Sequence, residues 1–123
     1  MTNIWKLQRD IEIVQGKTWE AKFRYLSLCS AGRKPVAVNL TGYTARMVVR
    51  ECAEDSAFLL NLTTENGGIT LGGVAGTIDI DATPTQTSNL TAGDGVYEIE
   101  LYVGSDVIGF AKGNAKIYQE IVR

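Results

Sequence analysis

The sequence predicts an all-β protein, an antiparallel immunoglobulin-like β-sandwich of about seven to nine strands with one short helical turn near residues 84–89. Three observations lead there. Apolar and polar residues alternate with period two along most of the chain, the pattern of strands with one dry and one wet face. Gly, Asn, Asp and Pro break that alternation at short, regular intervals, as turns between short strands require. No apolar stripe of helical spacing runs beyond one turn. An open barrel is the competing architecture.

At 123 residues the chain fits one domain, and a chain of this size buries roughly two-thirds of the surface that its unfolded form exposes. The first alternating run begins at Asp10, which sets off an N-terminal arm, residues 1–9, from a single sandwich domain, residues 10–123. In that run Ile11 and Ile13 face one way and Asp10 and Glu12 the other, until Gly16 ends it. The next strand is the clearest: Trp19, Ala21, Phe23 and Tyr25 alternate with Thr18, Glu20, Lys22 and Arg24. Residues 27–42 hold Gly, Pro, Asn and Ser and read as a long surface connection. Tyr43, Ala45, Met47 and Val49 then point inward, while Thr44, Arg46 and Arg50 share the outer face with Val48.

Phe58, Leu60 and Leu62 form the next strand, and the Asn-Gly-Gly at 66–68 predicts a hairpin into the strand at 69–71. Ile78 and Ile80 alternate with Thr77, Asp79 and Asp81, and Pro84 opens the helical turn. Gly-Asp-Gly at 93–95 reads as a turn before a strand with Tyr97, Ile99, Leu101 and Val103 inward and Glu98, Glu100 and Tyr102 outward. A turn at 104–106 leads to the closing strands, with Ala115, Ile117 and Ile121 inward. Tyr97 follows a helical turn and a Gly-containing corner, the position of the tyrosine corner in immunoglobulin-like sandwiches; a plain core aromatic is the other reading.

Charge and composition narrow the function. Twelve basic against fourteen acidic residues leave no electrostatic footprint for nucleic acid or anionic lipid, so neither is an expected partner. The first ten residues lack the pattern of a signal peptide and no apolar run is of membrane-spanning length, which predicts a chain made and kept in the cytoplasm unless another route exports it. Cys29 and Cys52 fit neither a metal site nor a disulfide framework and read as reduced small hydrophobes, not bonded to one another. With no histidine, a Ser-His-Asp triad, a Cys-His dyad and the common zinc sites are unavailable. The carboxylate pairs Asp79/Asp81 and Glu98/Glu100 lie roughly 7 Å apart on one strand face, a separation that glycosidases use. Both alternate with core residues, however, and read as wet-face groups. The glycines at 67, 68, 72, 73 and 76 lack the Lys-Ser/Thr of a phosphate loop and read as turns. No cofactor, metal or catalytic residue is expected, and the chain is not expected to be an enzyme.

"IVQGKTWEAKFRY", "NLTGYTARMVVRE", "NLTTENGGITL" and "GVYEIELYV", followed by a closing strand after "KGNAKIY", together resemble small phage structural domains. The pattern is similar to the immunoglobulin-like N-terminal domain of siphophage upper baseplate proteins and to stand-alone tail or neck proteins, across roughly residues 11–122. The resemblance implies that Leu40, Gly42, Tyr43, Ala45, Met47 and Arg50 are framework positions. It also implies a virion component, made in the host cytoplasm, that acts as an adaptor or connector in the tail, neck or baseplate. Baseplate relatives usually continue into a long helical or receptor-facing region, whereas this sequence stops at Arg123, so the resemblance leaves receptor contact open.

Two surfaces are candidates for such assembly. Ile4, Trp5 and Leu7 give the arm apolar surface that either docks on its own sandwich or enters a neighbouring subunit. If the strands bearing Arg46/Arg50 and Glu98/Glu100 are sheet neighbours, as the immunoglobulin-like order requires, these charges and Tyr102 form one outer patch. The expected partners are copies of the chain itself, in threefold or sixfold symmetry by the phage resemblance, and other virion proteins. Two rival readings stand beside this one: a carbohydrate-binding sandwich that stacks sugars on Trp5, Tyr102 and Tyr118, and an enzyme built on the carboxylate pairs.

Overall fold

Alternation along the chain becomes two facing sheets in the computed structural model, which describes residues 7–27, 36–52, 54 and 59–121. The strands are β1 (Leu7–Gln8), β2 (Ile11–Val14), β3 (Trp19–Arg24), β4 (Leu26–Ser27), β5 (Val36–Ala37), β6 (Thr44–Arg50), β7 (Leu60–Thr63), β8 (Ile69–Leu71), β9 (Thr77–Ala82), β10 (Gly93–Val103) and β11 (Asp106–Tyr118), with one helix, α1 (Pro84–Ser88). The larger sheet runs β11–β10–β6–β7, with β1 and β2 both lying parallel along the free side of β11. The smaller sheet is β3–β9–β8, and β4 and β5 form a separate two-stranded ribbon. Pairing β6 with β10 in one sheet and β3 with β9 in the other is the immunoglobulin-like order, with β7 added beside β6 as in variable-type domains.

The core lies between the sheets. Ile13, Met47, Leu62, Ile99 and Leu101 from the larger sheet and Ile78 and Ile80 from the smaller are sealed from solvent, each stabilising the fold by about 1.5–3 kcal/mol relative to exposure. Phe23, Tyr97 and Ile11 are buried with them, in the expected phase. Trp19 and Tyr43 are only half-buried. The cause for Trp19 is topological: because the first strand joins β11, β3 pairs with β9 alone and its other edge is open.

The helical turn forms where expected. Pro84 begins α1, Thr83 accepts from the Gln86 N–H, and the Gln86 side chain accepts from the Thr83 N–H at 2.8 Å, a capping box. Buried Thr87 donates its hydroxyl to the Lys17 carbonyl at 2.8 Å, tying α1 to the β2–β3 turn.

Several expectations change. The Asn-Gly-Gly segment does not close a hairpin: β7 pairs with β6 and β8 with β9, so the chain crosses from one sheet to the other. Leu62 and Ile69 on either side of the turn are both buried, and Asn66 holds the step by exchanging hydrogen bonds of 2.9 Å with Thr63. Gly93 to Gly95 continue β10 against β11 instead of turning; at Gly95 the Arg50 carbonyl stands where a side chain would begin, so glycine serves close backbone approach. The closing strands are one strand, β11, with a bulge opposite Ile99/Glu100, and Ile121 is 90% exposed instead of inward. In the 27–42 connection Ser27 closes β4, Val36–Ala37 form β5, and Leu40 enters the core.

The arm boundary also moves. Leu7 and Gln8 pair with Ala111 and Lys112, and Leu7 packs against the core of its own domain. The break between β1 and β2 is pinned from three sides. The Arg9 N–H donates to the Lys112 carbonyl and the Asn114 N–H to Asp10 Oδ1, each at 3.0 Å. The third contact corrects the tyrosine-corner reading, since the Tyr97 hydroxyl donates to the Arg9 carbonyl across the sheet, not to backbone a few residues upstream. Burial pushes that phenol up to about 12.

Candidate functional site

The outer face of the larger sheet gathers five of the residues singled out in the sequence. β6 and β10 pair so that Arg46 lies opposite Glu100, Val48 opposite Glu98, Arg50 opposite Val96 and Thr44 opposite Tyr102. On the far side of β10, Lys112 lies opposite Glu98, and Gln8 beside Lys112. The expected neighbourhood of arginines and glutamates is therefore present, and it arises from strand register, with two cations on one strand and two anions on the next.

This face is drier than a solvated sheet surface. Arg46, Arg50, Glu98, Glu100 and Tyr102 are all half-buried, and Val48, in the outward phase, is only 7% exposed. Val48 lies between Arg46 and Arg50 on its own strand, opposite Glu98 on β10 and Asn61 on β7, and the aliphatic stems of such long side chains shed water from an apolar neighbour. Arg46 Nε donates to Asn61 Oδ1 on β7 at 2.8 Å. The Tyr102 hydroxyl donates to Glu100 Oε1 at 2.7 Å, and burial together with that bond pushes the phenol up to about 12. Burial, then the neighbouring Glu100, lifts the Glu98 carboxyl above its usual range, against the pull of Arg50 and Lys112. Arg50 Nε is buried and has no hydrogen-bond acceptor among the described residues.

Among the described residues, two clefts meet at Arg50 on this face. The larger, about 480 Å³, is lined by Gln8, Asp10, Val48, Arg50, Val96, Tyr97, Glu98, Lys112, Gly113 and Asn114. The smaller, about 140 Å³, lies among Arg46, Val48, Arg50, Glu98 and Glu100. Arg50, Val48 and Glu98 form the wall that both share. Glu98 and Glu100 thus stand in a half-dry face among cations, instead of on the wet face expected for them. Such walls present hydrogen-bond donors and acceptors over an apolar floor, a surface suited to another macromolecule's side chains.

The other candidates are scattered. Ile4, Trp5, Cys29 and Phe58 fall outside the described residues. Leu7 is half-buried and packs against the core of its own domain. Cys52 is exposed just beyond β6. Asp79 and Asp81 lie on the outer face of the smaller sheet, away from Glu98 and Glu100. Among the described residues no three His, Cys, Asp or Glu side chains gather as metal ligands, and no helix is long and apolar enough to cross a membrane. Tyr102 and Tyr118 do not share a platform: Val107, the partner of Tyr102, stands at the opposite end of β11 from Tyr118, roughly 35 Å away at strand spacing. Sequence reasoning missed Asn61, Lys112 and the dryness around Val48. The available signal was Val48 itself, an apolar residue between two arginines in the outward phase.

No protein-family profile and no curated protein matches the chain. Among solved structures it is similar to the extracellular domain of the voltage-gated sodium channel β4 subunit, for which parallel homodimers and a role in cell–cell adhesion are described. The two share 12% identity over 93% of each chain with a TM-score of 0.46. The immunoglobulin-like assignment stands on the strand pairing described above.

Proposed function

We propose that this protein is a non-enzymatic structural component of a phage virion, an adaptor in the tail, neck or baseplate that self-associates and docks on other virion proteins. The observation that carries an assembly role is the outer face of the larger sheet, where four charged groups are held half-buried around Val48, with half-buried Tyr102 hydrogen-bonded to one of them, Glu100. Arranging charges in a half-dry patch costs desolvation that folding alone does not recover; a second protein covering the patch strengthens every pair within it. The phage setting, with threefold or sixfold ring symmetry, rests on the resemblance of the "NLTGYTARMVVR", "NLTTENGGITL" and "GVYEIELYV" segments to baseplate and neck domains.

Immunogold labelling of purified phage particles with an antibody to the recombinant chain tests the setting. Label confined to the tail, neck or baseplate is expected. Particles that carry no label while the protein accumulates in the infected cell would sink the reading.

A further inference from the structure

We infer that the outer face of the larger sheet is a contact between two copies of this chain, packed face to face about a twofold axis parallel to the strands and midway between β6 and β10. The inference rests on the assembly role proposed above and names the partner at that site.

The starting point is Arg50, whose Nε is buried with no acceptor among the described residues. The covered Nε is closed to a second molecule, but Arg50 also lines both clefts, where an anion of a second copy can meet the rest of its guanidinium. The register supplies one through symmetry. β6 carries both arginines and β10 both glutamates, in columns about 4.8 Å apart. A dyad running between them, parallel to the strands, exchanges the columns and keeps the levels. β6 of one copy then lies over β10 of the other, with Arg46 facing Glu100 of the second copy. Glu98 of the second copy falls between Arg46 and Arg50, about 7 Å along the strand from each level, within reach of an extended arginine. A dyad perpendicular to the strands would instead lay β6 on β6 and arginine on arginine. The charge pattern therefore selects one orientation, which is self-complementary and closed.

The space between fits the same arrangement. Face-to-face sheets stack about 10 Å apart, a gap filled by two layers of Arg, Glu and Tyr side chains. The cleft of about 480 Å³ beside Arg50 leaves room for side chains of the second copy. Across this dyad Val48 faces Glu98 of the second copy and Val96 faces Arg50 of the second copy, so each valine gives the apolar part of a charged side chain a surface to lie on. A dyad of this kind combined with a threefold axis produces six copies, so the contact is compatible with ring symmetry.

Analytical ultracentrifugation of the full chain across a concentration series tests the contact. Wild type is expected to sediment at twice its 13.4 kDa chain mass. Arg46→Glu/Arg50→Glu makes all four of the charges on β6 and β10 acidic, and Glu98→Lys/Glu100→Lys makes all four basic. Each variant, folded by circular dichroism, should self-associate at least about 100-fold more weakly, because like charges then meet across the dyad. An equimolar mixture of the two should form a heterodimer within about tenfold of wild-type affinity. If either reversal fails to fold, Arg50→Gln and Glu98→Gln replace it, each expected to weaken self-association about tenfold. Folded variants that do not pair when mixed, or a wild type that stays monomeric, overturn the contact. So does self-association that ignores all four substitutions. Labelling of particles is a separate reading, so these failures leave the virion role standing.

Discussion

The outer faces of the two sheets arise from the same alternation and end in different environments. On the smaller sheet Glu20, Lys22 and Arg24 stand opposite Asp81, Asp79 and Thr77. Glu20 and Asp81, both exposed, are like charges directly opposed, and the Lys22–Asp79 pair is 3.7 Å apart with side chains 79% and 40% exposed. Water screens these groups, so repulsion is tolerated and attraction counts for little. On the larger sheet Arg46, Arg50, Glu98 and Glu100 are half-buried. The difference is the number of strands on either side. β6 and β10 lie side by side within a six-stranded sheet, whereas β9, which bears Asp79 and Asp81, is flanked only by the edge strands β3 and β8. Period two decides which side chains leave the core; sheet width decides how wet their destination is.

The largest expected effect separates an interior strand from an edge. Leu101→Ala on β10 removes a side chain with no exposure and should cost about 2–5 kcal/mol in urea unfolding. Trp19→Ala on β3 deletes more atoms yet should cost less than Leu101→Ala, because the open edge leaves Trp19 half in solvent. An equal or greater loss at Trp19 would mean that the edge of β3 is covered.

Next comes the seam where β1 and β2 join the larger sheet. Gly113 sits against the Arg9 carbonyl, and a Cβ there would collide with that backbone. Gly113→Ala should therefore push the first strand off β11, disturb the Tyr97–Arg9 hydrogen bond and cost about 1–3 kcal/mol, seen as a lower melting temperature. The same substitution at Gly67, where nothing lies within 4 Å, meets only the strain of a positive φ and no collision. If Gly113→Ala leaves stability unchanged, the seam is looser than its bonds suggest.

Strand identity and facing were legible in the sequence because each depends on local alternation: Ile11/Ile13, Ile78/Ile80 and Tyr97/Ile99/Leu101 all turn inward as expected. Features that depend on which strand lies alongside were not. The Asn-Gly-Gly turn carries a hairpin signal, yet whether its flanks pair with each other is decided by β6 and β9. Gly93 to Gly95 look like a turn because their pairing with Ala115 to Ile117 is invisible to local pattern. The arginine–glutamate neighbourhood was legible through fold order, while the buried Nε of Arg50 was not, since it depends on how far covering side chains reach.

Double-mutant cycles compare the two faces directly. Lys22→Ala with Asp79→Ala should give a coupling below about 0.5 kcal/mol, as exposed pairs do. Arg50→Ala with Glu98→Ala, measured at concentrations where the chain is monomeric, should give about 1 kcal/mol, because partial burial weakens screening. Equal couplings would erase the contrast between the faces.

The smallest effect concerns pH and belongs to Glu98. Burial and the neighbouring Glu100 raise its carboxyl above the ordinary range in the folded chain, outweighing Arg50 and Lys112. The folded state therefore holds that proton more tightly than the unfolded state does. Its contribution to stability is greatest below the ordinary carboxylate range and is lost as pH rises through the raised value. Glu98→Gln removes the ionisation and keeps the shape. In the monomer the variant should thus gain on wild type as pH climbs from about 4 to about 7, by roughly 0.5 kcal/mol or less after solvent screening, and the two should converge in acid. Urea midpoints measured across that interval read the difference. A variant that instead loses ground to wild type as pH climbs over that interval would mean that Arg50 and Lys112 outweigh the burial of Glu98 and that its ionised form is the one the folded face favours.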